Sequence, residues 1–177
     1  MGRRIYENGK FVWKYVFGRQ PSEMGRLADE FGIGKYEHRM ERDEKEDIEI
    51  DVYQWLATDK DIPKLKKLLK QLGNGKTRKE LEKIGMTAVK EFIQNQNQLW
   101  RDVFAEDIRK IEKAKSENGF PFYGSSNKGM NFEVYNIYSD AIEEEITDTF
   151  DFYSMIEAFI EYMETHKKTR YVFEDEL

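Results

Sequence analysis

A chain of 177 residues, 39% hydrophobic and 36% charged with a net charge of −6, is long enough for one domain that buries about 70% of its unfolded surface, and too rich in apolar and aromatic side chains for a disordered chain. It contains no cysteine, which rules out disulfides, thiolate nucleophiles, iron–sulfur clusters and any zinc site that depends on sulfur. The opening residues MGRRIYENGKFVW hold no apolar run of signal-peptide length, Tyr6 stands where N-myristoylation requires Ser or Thr, and no window of about 18 apolar residues occurs, so a soluble cytoplasmic protein with no membrane segment is expected.

The first unit in chain order is RRIY-ENGK-FVWKYVFG. Asn8-Gly9 supplies the positive φ angles of a tight turn, and the flanks are rich in β-formers, so a hairpin is predicted. In its second strand Phe11, Trp13, Tyr15 and Phe17 share one face, a core row by pattern rather than a base-stacking platform. Ser22 is placed to cap a short helix with Met24, Leu27, Ala28 and Phe31 on one side, and Gly32 to end it. A second hairpin spans Tyr36 to Tyr53 around the charged turn at Asp43–Glu46, with alternation that leaves one face wet. His38, beside Tyr36 and Met40 on that pattern, reads as a packed, hydrogen-bonded histidine.

Gly73-Asn74-Gly75-Lys76-Thr77 resembles the end of a phosphate-binding loop, but Lys70 occupies the position of its first glycine, and the residues before it carry Ile62, Leu65, Leu68, Leu69 and Leu72 at helical spacing after a capping Asp61. No nucleotide is therefore expected at Gly75, Lys76 and Thr77. The stretch reads as a turn between helices: Gly73 ends one in a left-handed conformation, and Thr77 with Glu80 forms the capping box of the next. If Gly85 marked a bend, TRKELEKIG-MTAVKEFI would resemble a helix-turn-helix. The apolar series Val89, Phe92, Ile93, Leu99, Trp100, Val103, Phe104, Ile108, Ile111 instead predicts one long, core-packing helix, with the amide run at 94–98 halfway along it and Gln96 on the stripe.

The stretch 117–131 is the longest without periodicity. It mixes glycines with Phe120, Phe122 and Tyr123, and its Gly124–Gly129 portion, including Lys128, has the composition of an anion cradle. Phe132, Val134 and Tyr138 then predict a strand. AIEEEITDTF leads into a helix capped near Asp148 or Thr149, with Phe152, Ile156, Phe159, Ile160 and Met163 buried, and TRYVFEDEL closes as a strand. His166 falls in the last turn of that helix, where the dipole favours a cation. Glu157, Glu161 and Glu164 lack the E-x-x-H pairing of a helical metal site, and no metal or other cofactor is expected.

Charge is segregated along the chain. Residues 60–115 hold 15 Lys and Arg against 8 Asp and Glu, and residues 140–177 hold 3 against 12. The plain reading is two regions that attract one another within the fold; the functional one is an acidic surface that docks a basic partner.

The expected architecture is a single α+β domain over 1–177. A mainly antiparallel sheet of two hairpins plus later strands packs against the long central helix and the C-terminal helix, with Trp100, Phe104, Phe92, Phe152 and Phe159 buried. No catalytic constellation is visible. The leading functional expectation is a non-catalytic protein-binding module, such as an inhibitor or immunity-type neutraliser of a basic partner, whose partner is another protein or a second copy. Its contact surface is read as Glu143, Glu144, Glu145, Tyr153, Tyr162, Tyr123 and Lys128. The alternatives are a small-molecule enzyme with a carboxylate, Tyr and His site at 117–131, and a helix-turn-helix-like nucleic-acid binder, which the acidity disfavours.

Overall fold

A computed structural model of the chain describes residues 4–14, 23–118 and 132–176. Strands β1 (Arg4–Glu7), β2 (Lys10–Lys14), β3 (Lys35–Asp43), β4 (Ile48–Thr58) and β5 (Arg170–Glu176) form one antiparallel sheet in the order β2-β1-β5-β4-β3. The helices are α1 (Glu23–Asp29), α2 (Ile62–Leu72), α3 (Arg78–Gln94), α4 (Gln98–Asn118), α5 (Phe132–Glu143) and α6 (Phe150–His166), and a 3₁₀ turn (Asp59–Asp61) leads into α2. The fold is α+β. It divides into two compact units, residues 1–67 with 155–177 and residues 68–154, whose boundaries fall inside α2 and α6.

In the first unit both hairpins form where the turn chemistry placed them. Asn8 and Gly9 have φ of 49° and 73°, the pair of positive values a two-residue turn needs, and the β3–β4 turn is residues 44–47. Alternation then sorts the faces. Ile5, Trp55, Tyr171 and Phe173 are buried on one side; there Trp55 stacks on Phe159 of α6 at 5.0 Å, and Phe159 meets Phe173 at 4.4 Å. Tyr36, across from Trp55 in register, lies against α1, where a Cβ on Gly25 would come within 3.2 Å of its ring. The opposite face carries polar side chains: Arg39 donates to Gln54 at 3.0 Å, and Gln54 donates to Glu174. Met24 and Leu27 anchor α1, which closes as Gly32 N–H donates to Ala28 and Ile33 N–H to Leu27. Tyr15, Phe17 and the Ser22 cap lie outside the described residues.

In the second unit α3 packs against α5; Leu81, Met86, Val89 and Ile93 of α3 and Val134, Tyr138 and Ile142 of α5 are buried. The strand expected over 132–138 is instead the first part of α5. Asn136 breaks the strand alternation there, whereas Val134, Tyr138 and Ile142 recur every four residues and are all buried. The residues that suit a strand by propensity are held helical by the packing their spacing allows. The single long helix expected after the 77–80 capping box is likewise two helices. The chain leaves α3 at Asn95, and Asn97 Oδ1 accepts the Trp100 N–H at 3.1 Å, capping α4. Gly85 makes no bend: α3 runs straight through it, and its missing Cβ leaves room for the Tyr138 ring, which a methyl would meet at 2.7 Å.

The turn between α2 and α3 has the expected box, with Thr77 N–H donating to Glu80 Oε2 at 2.7 Å and Glu80 N–H to Thr77 Oγ1 at 3.2 Å. The left-handed residues, however, are Asn74 (φ 51°) and Gly75 (φ 77°), not Gly73. Gly73 still donates to Leu69 within the helical pattern, and Asn74 is fixed by donating its side-chain amide to the Glu145 carbonyl at 2.8 Å. Asp61 also acts differently from a plain cap of α2. Its carboxylate accepts the Thr58 N–H at 2.8 Å and pairs with Lys64, so it stabilises the 3₁₀ turn before the helix.

Candidate interaction surface

Three of the residues read as a docking surface have work inside the second unit. Glu143 accepts the Phe150 N–H at 2.8 Å at the start of α6, Glu145 pairs with Lys76 at 3.2 Å, and Tyr153 is buried. Glu144 is exposed. In the first unit Tyr162 is buried, donating its hydroxyl to Glu7 Oε1 at 2.9 Å. Neither tyrosine offers a ring to a partner, and Tyr123 and Lys128 lie outside the described residues together with most of the 117–131 stretch. Of the expected surface residues that are described, Glu144 is exposed, and Tyr153 and Tyr162 are enclosed. Sequence spacing put these tyrosines on a helix but could not tell its wet side from its dry one.

Tyr162 belongs to a closed polar cluster. Glu7, only 4% exposed, also takes the Lys168 ammonium; His166 Nδ1 lies 2.9 Å from the Tyr162 carbonyl and stacks on its ring at 3.8 Å; Tyr171 donates to Met163 and accepts the Lys168 N–H. Burial, then the hydrogen bond to Glu7 and its charge, raises the Tyr162 phenol well above its ordinary value. Every group here has a partner, so the cluster ties β1, α6 and β5 together. His166 lies in the last turn of α6. His38 is hydrogen-bonded as expected, 2.6 Å from Asp51 Oδ1, and stacked on Tyr53 at 4.6 Å, but it is exposed rather than packed in a core. Among the described residues no group of three or more His, Asp and Glu is poised for a metal, and no helix is long and apolar enough to cross a membrane.

The side chains that sequence spacing misplaced are on α4. Phe104 is buried and meets Phe92 of α3 at 5.4 Å, but the next ring, Trp100, stacks on Phe104 at 5.7 Å and is 48% exposed. Leu99 is 71% and Val103 48% exposed. The expected burial of Trp100 fails because the break at 95–97 restarts the helical phase. A stripe read across the break as continuous is turned when the chain re-enters at Gln98. Gln96, the polar residue on that stripe, sits in the break and donates to the Phe92 carbonyl at 3.3 Å. The signal was present in the sequence, since Asn97 is a good N-cap and five amides in a row interrupt the apolar pattern. Leu99 and Val103, four apart, share one face of α4 with Trp100 at its margin. No protein-family model matches this chain, and no curated protein or solved structure matches it.

Proposed function

We propose that this chain is a non-catalytic protein-binding domain that presents α4 to its partner. The observation that carries this reading is the half-exposed Trp100 with Leu99 and Val103 beside it. Water-facing apolar side chains grouped on one helix are a recurrent feature of docking surfaces, and a tryptophan seated on a second ring is a preferred anchor at their centre. The net charge of −6 supports a secondary part for carboxylates such as Glu144, which steer an approaching basic surface and set the encounter rate more than the affinity.

The test is capture of partners by the purified protein at low and at high salt, with Trp100→Glu and the triple change of Glu143, Glu144 and Glu145 to lysine run in parallel. Binding that survives high salt, is lost in Trp100→Glu and is only slowed in the triple variant supports the α4 reading. Binding that is indifferent to Trp100 but lost with the glutamates or with salt overturns it in favour of an acidic docking surface.

A further inference from the structure

Resting on the α4 reading, we infer that the partner this helix fits is a second copy of itself, packed antiparallel about a two-fold axis. Two independent features of α4 point there. The first is its lack of neighbours. Over 21 residues, about 31 Å at 1.5 Å per residue, its substantial packing among the described elements is against α3 alone; Leu99 and Val103 are turned away from the buried Phe104 and Asp107, and Trp100, stacked on Phe104, is still half exposed. Three exposed side chains are too few for the roughly 800 Å² per partner of a standard interface, so the occupant must run along the helix rather than touch its first turns.

The second feature is the distribution of charge. Over 98–108 the exposed charged residues are Arg101, Asp102 and Glu106, a balance of −1; Asp107 is buried. Over 109–118 the sequence has Arg109, Lys110, Lys113 and Lys115 against Glu112 and Glu117, a balance of +2. An antiparallel copy sets the acidic half of each helix against the basic half of the other, twice over by symmetry, whereas a parallel copy sets like against like. The same gradient suits the dipole of α4 itself, and exchange between charge-altered chains separates the two explanations.

The experiment is sedimentation equilibrium of the full chain, with helicity checked by circular dichroism. The wild type should approach twice the monomer mass as concentration rises. Asp102→Lys with Glu106→Lys makes both halves basic, and Lys110→Glu with Lys113→Glu makes both acidic. Each double variant should self-associate at least about tenfold more weakly, a loss of about 1.4 kcal/mol, and an equimolar mixture of the two should recover a dimer. Leu99→Glu with Trp100→Glu should be monomeric with native helicity. A wild type that stays monomeric to its solubility limit, or a mixture that stays monomeric when each double variant alone does, overturns the inference. If the wild type is monomeric while Trp100→Glu abolishes capture of another protein, this inference falls and the α4 reading stands. A dimer that persists in Leu99→Glu with Trp100→Glu places self-association elsewhere and removes both.

Discussion

At Gly85 the requirement for glycine comes from a neighbour rather than from the backbone. Adding a methyl there improves helix propensity by up to about 1 kcal/mol, yet the new Cβ would lie 2.7 Å from two carbons of the buried Tyr138 ring. Overpacking of this kind costs about 1–3 kcal/mol, so Gly85→Ala is expected to lower the urea midpoint, and Gly85→Ala combined with Tyr138→Leu to recover part of the loss. Tyr162 makes a different point. Its folded-state phenol is held above the ordinary value, so the neutral form is favoured by folding. The contribution to stability is complete below the unfolded value of about 10 and declines as pH rises from there toward the folded value, because the unfolded chain releases that proton first. Tyr162→Phe should cost about 1.5–3 kcal/mol at neutral pH, as a hydrogen bond to a charged group does, and its stability should then fall less steeply than the wild type's above about pH 10. Equilibrium unfolding at neutral and alkaline pH measures both. A cost of the same size at every pH would show that the phenol is not protected.

At the level of elements, local signals worked where one side chain or one turn decides the outcome. Asn8-Gly9, the Thr77–Glu80 box and Thr149, which accepts the Phe152 N–H at 3.2 Å at the start of α6, all sit where their chemistry put them. Thr77→Ala should cost about 1 kcal/mol, read from denaturant unfolding; no change would mean that α3 is set by its packing on α5 alone. Periodicity failed in two places for physical reasons. Val134, Tyr135, Tyr138 and Ile142 are β-branched or aromatic, so propensity favoured a strand, while the buried spacing they actually offer is helical. In the 94–98 amide run the chain breaks, and a pattern that assumes constant phase across a break assigns the wrong face to the helix beyond it.

Across the whole molecule, two ion pairs join the segregated charges. Lys66 pairs with Glu164 in the first unit and Lys76 with Glu145 in the second, so basic and acidic segments meet within each unit. Lys76 is thereby committed to Glu145, and Asn74 to the Glu145 carbonyl and the Thr147 hydroxyl. Millimolar ATP or GTP with magnesium should leave thermal unfolding unshifted; a rise abolished by Lys76→Ala would overturn that. The two ends of the ring stack on α4 should also separate. Phe104→Ala is expected to cost about 3–5 kcal/mol as a buried ring, and Trp100→Ala only the about 0.5–1.5 kcal/mol of a stacking contact. A large loss at Trp100 would mean that it serves the fold rather than a partner.

The sequence by itself determined what depends on neighbours a few residues apart: the two hairpins, the caps at Thr77 and Thr149, the buried stripe of α6 and, through them, the α+β class. These rest on turn geometry and side-chain periodicity, which are local. Only the tertiary structure decided which apolar residues are dry. Tyr153 and Tyr162 are enclosed, Trp100 and Leu99 are left in water, and α5 is a helix, because burial is fixed by contacts between residues far apart in the chain, such as Gly85 with Tyr138 and Glu7 with Tyr162. The candidate surface on α4 was illegible for the same reason: an apolar side chain reads identically in a sequence whether the fold covers it or leaves it for a partner.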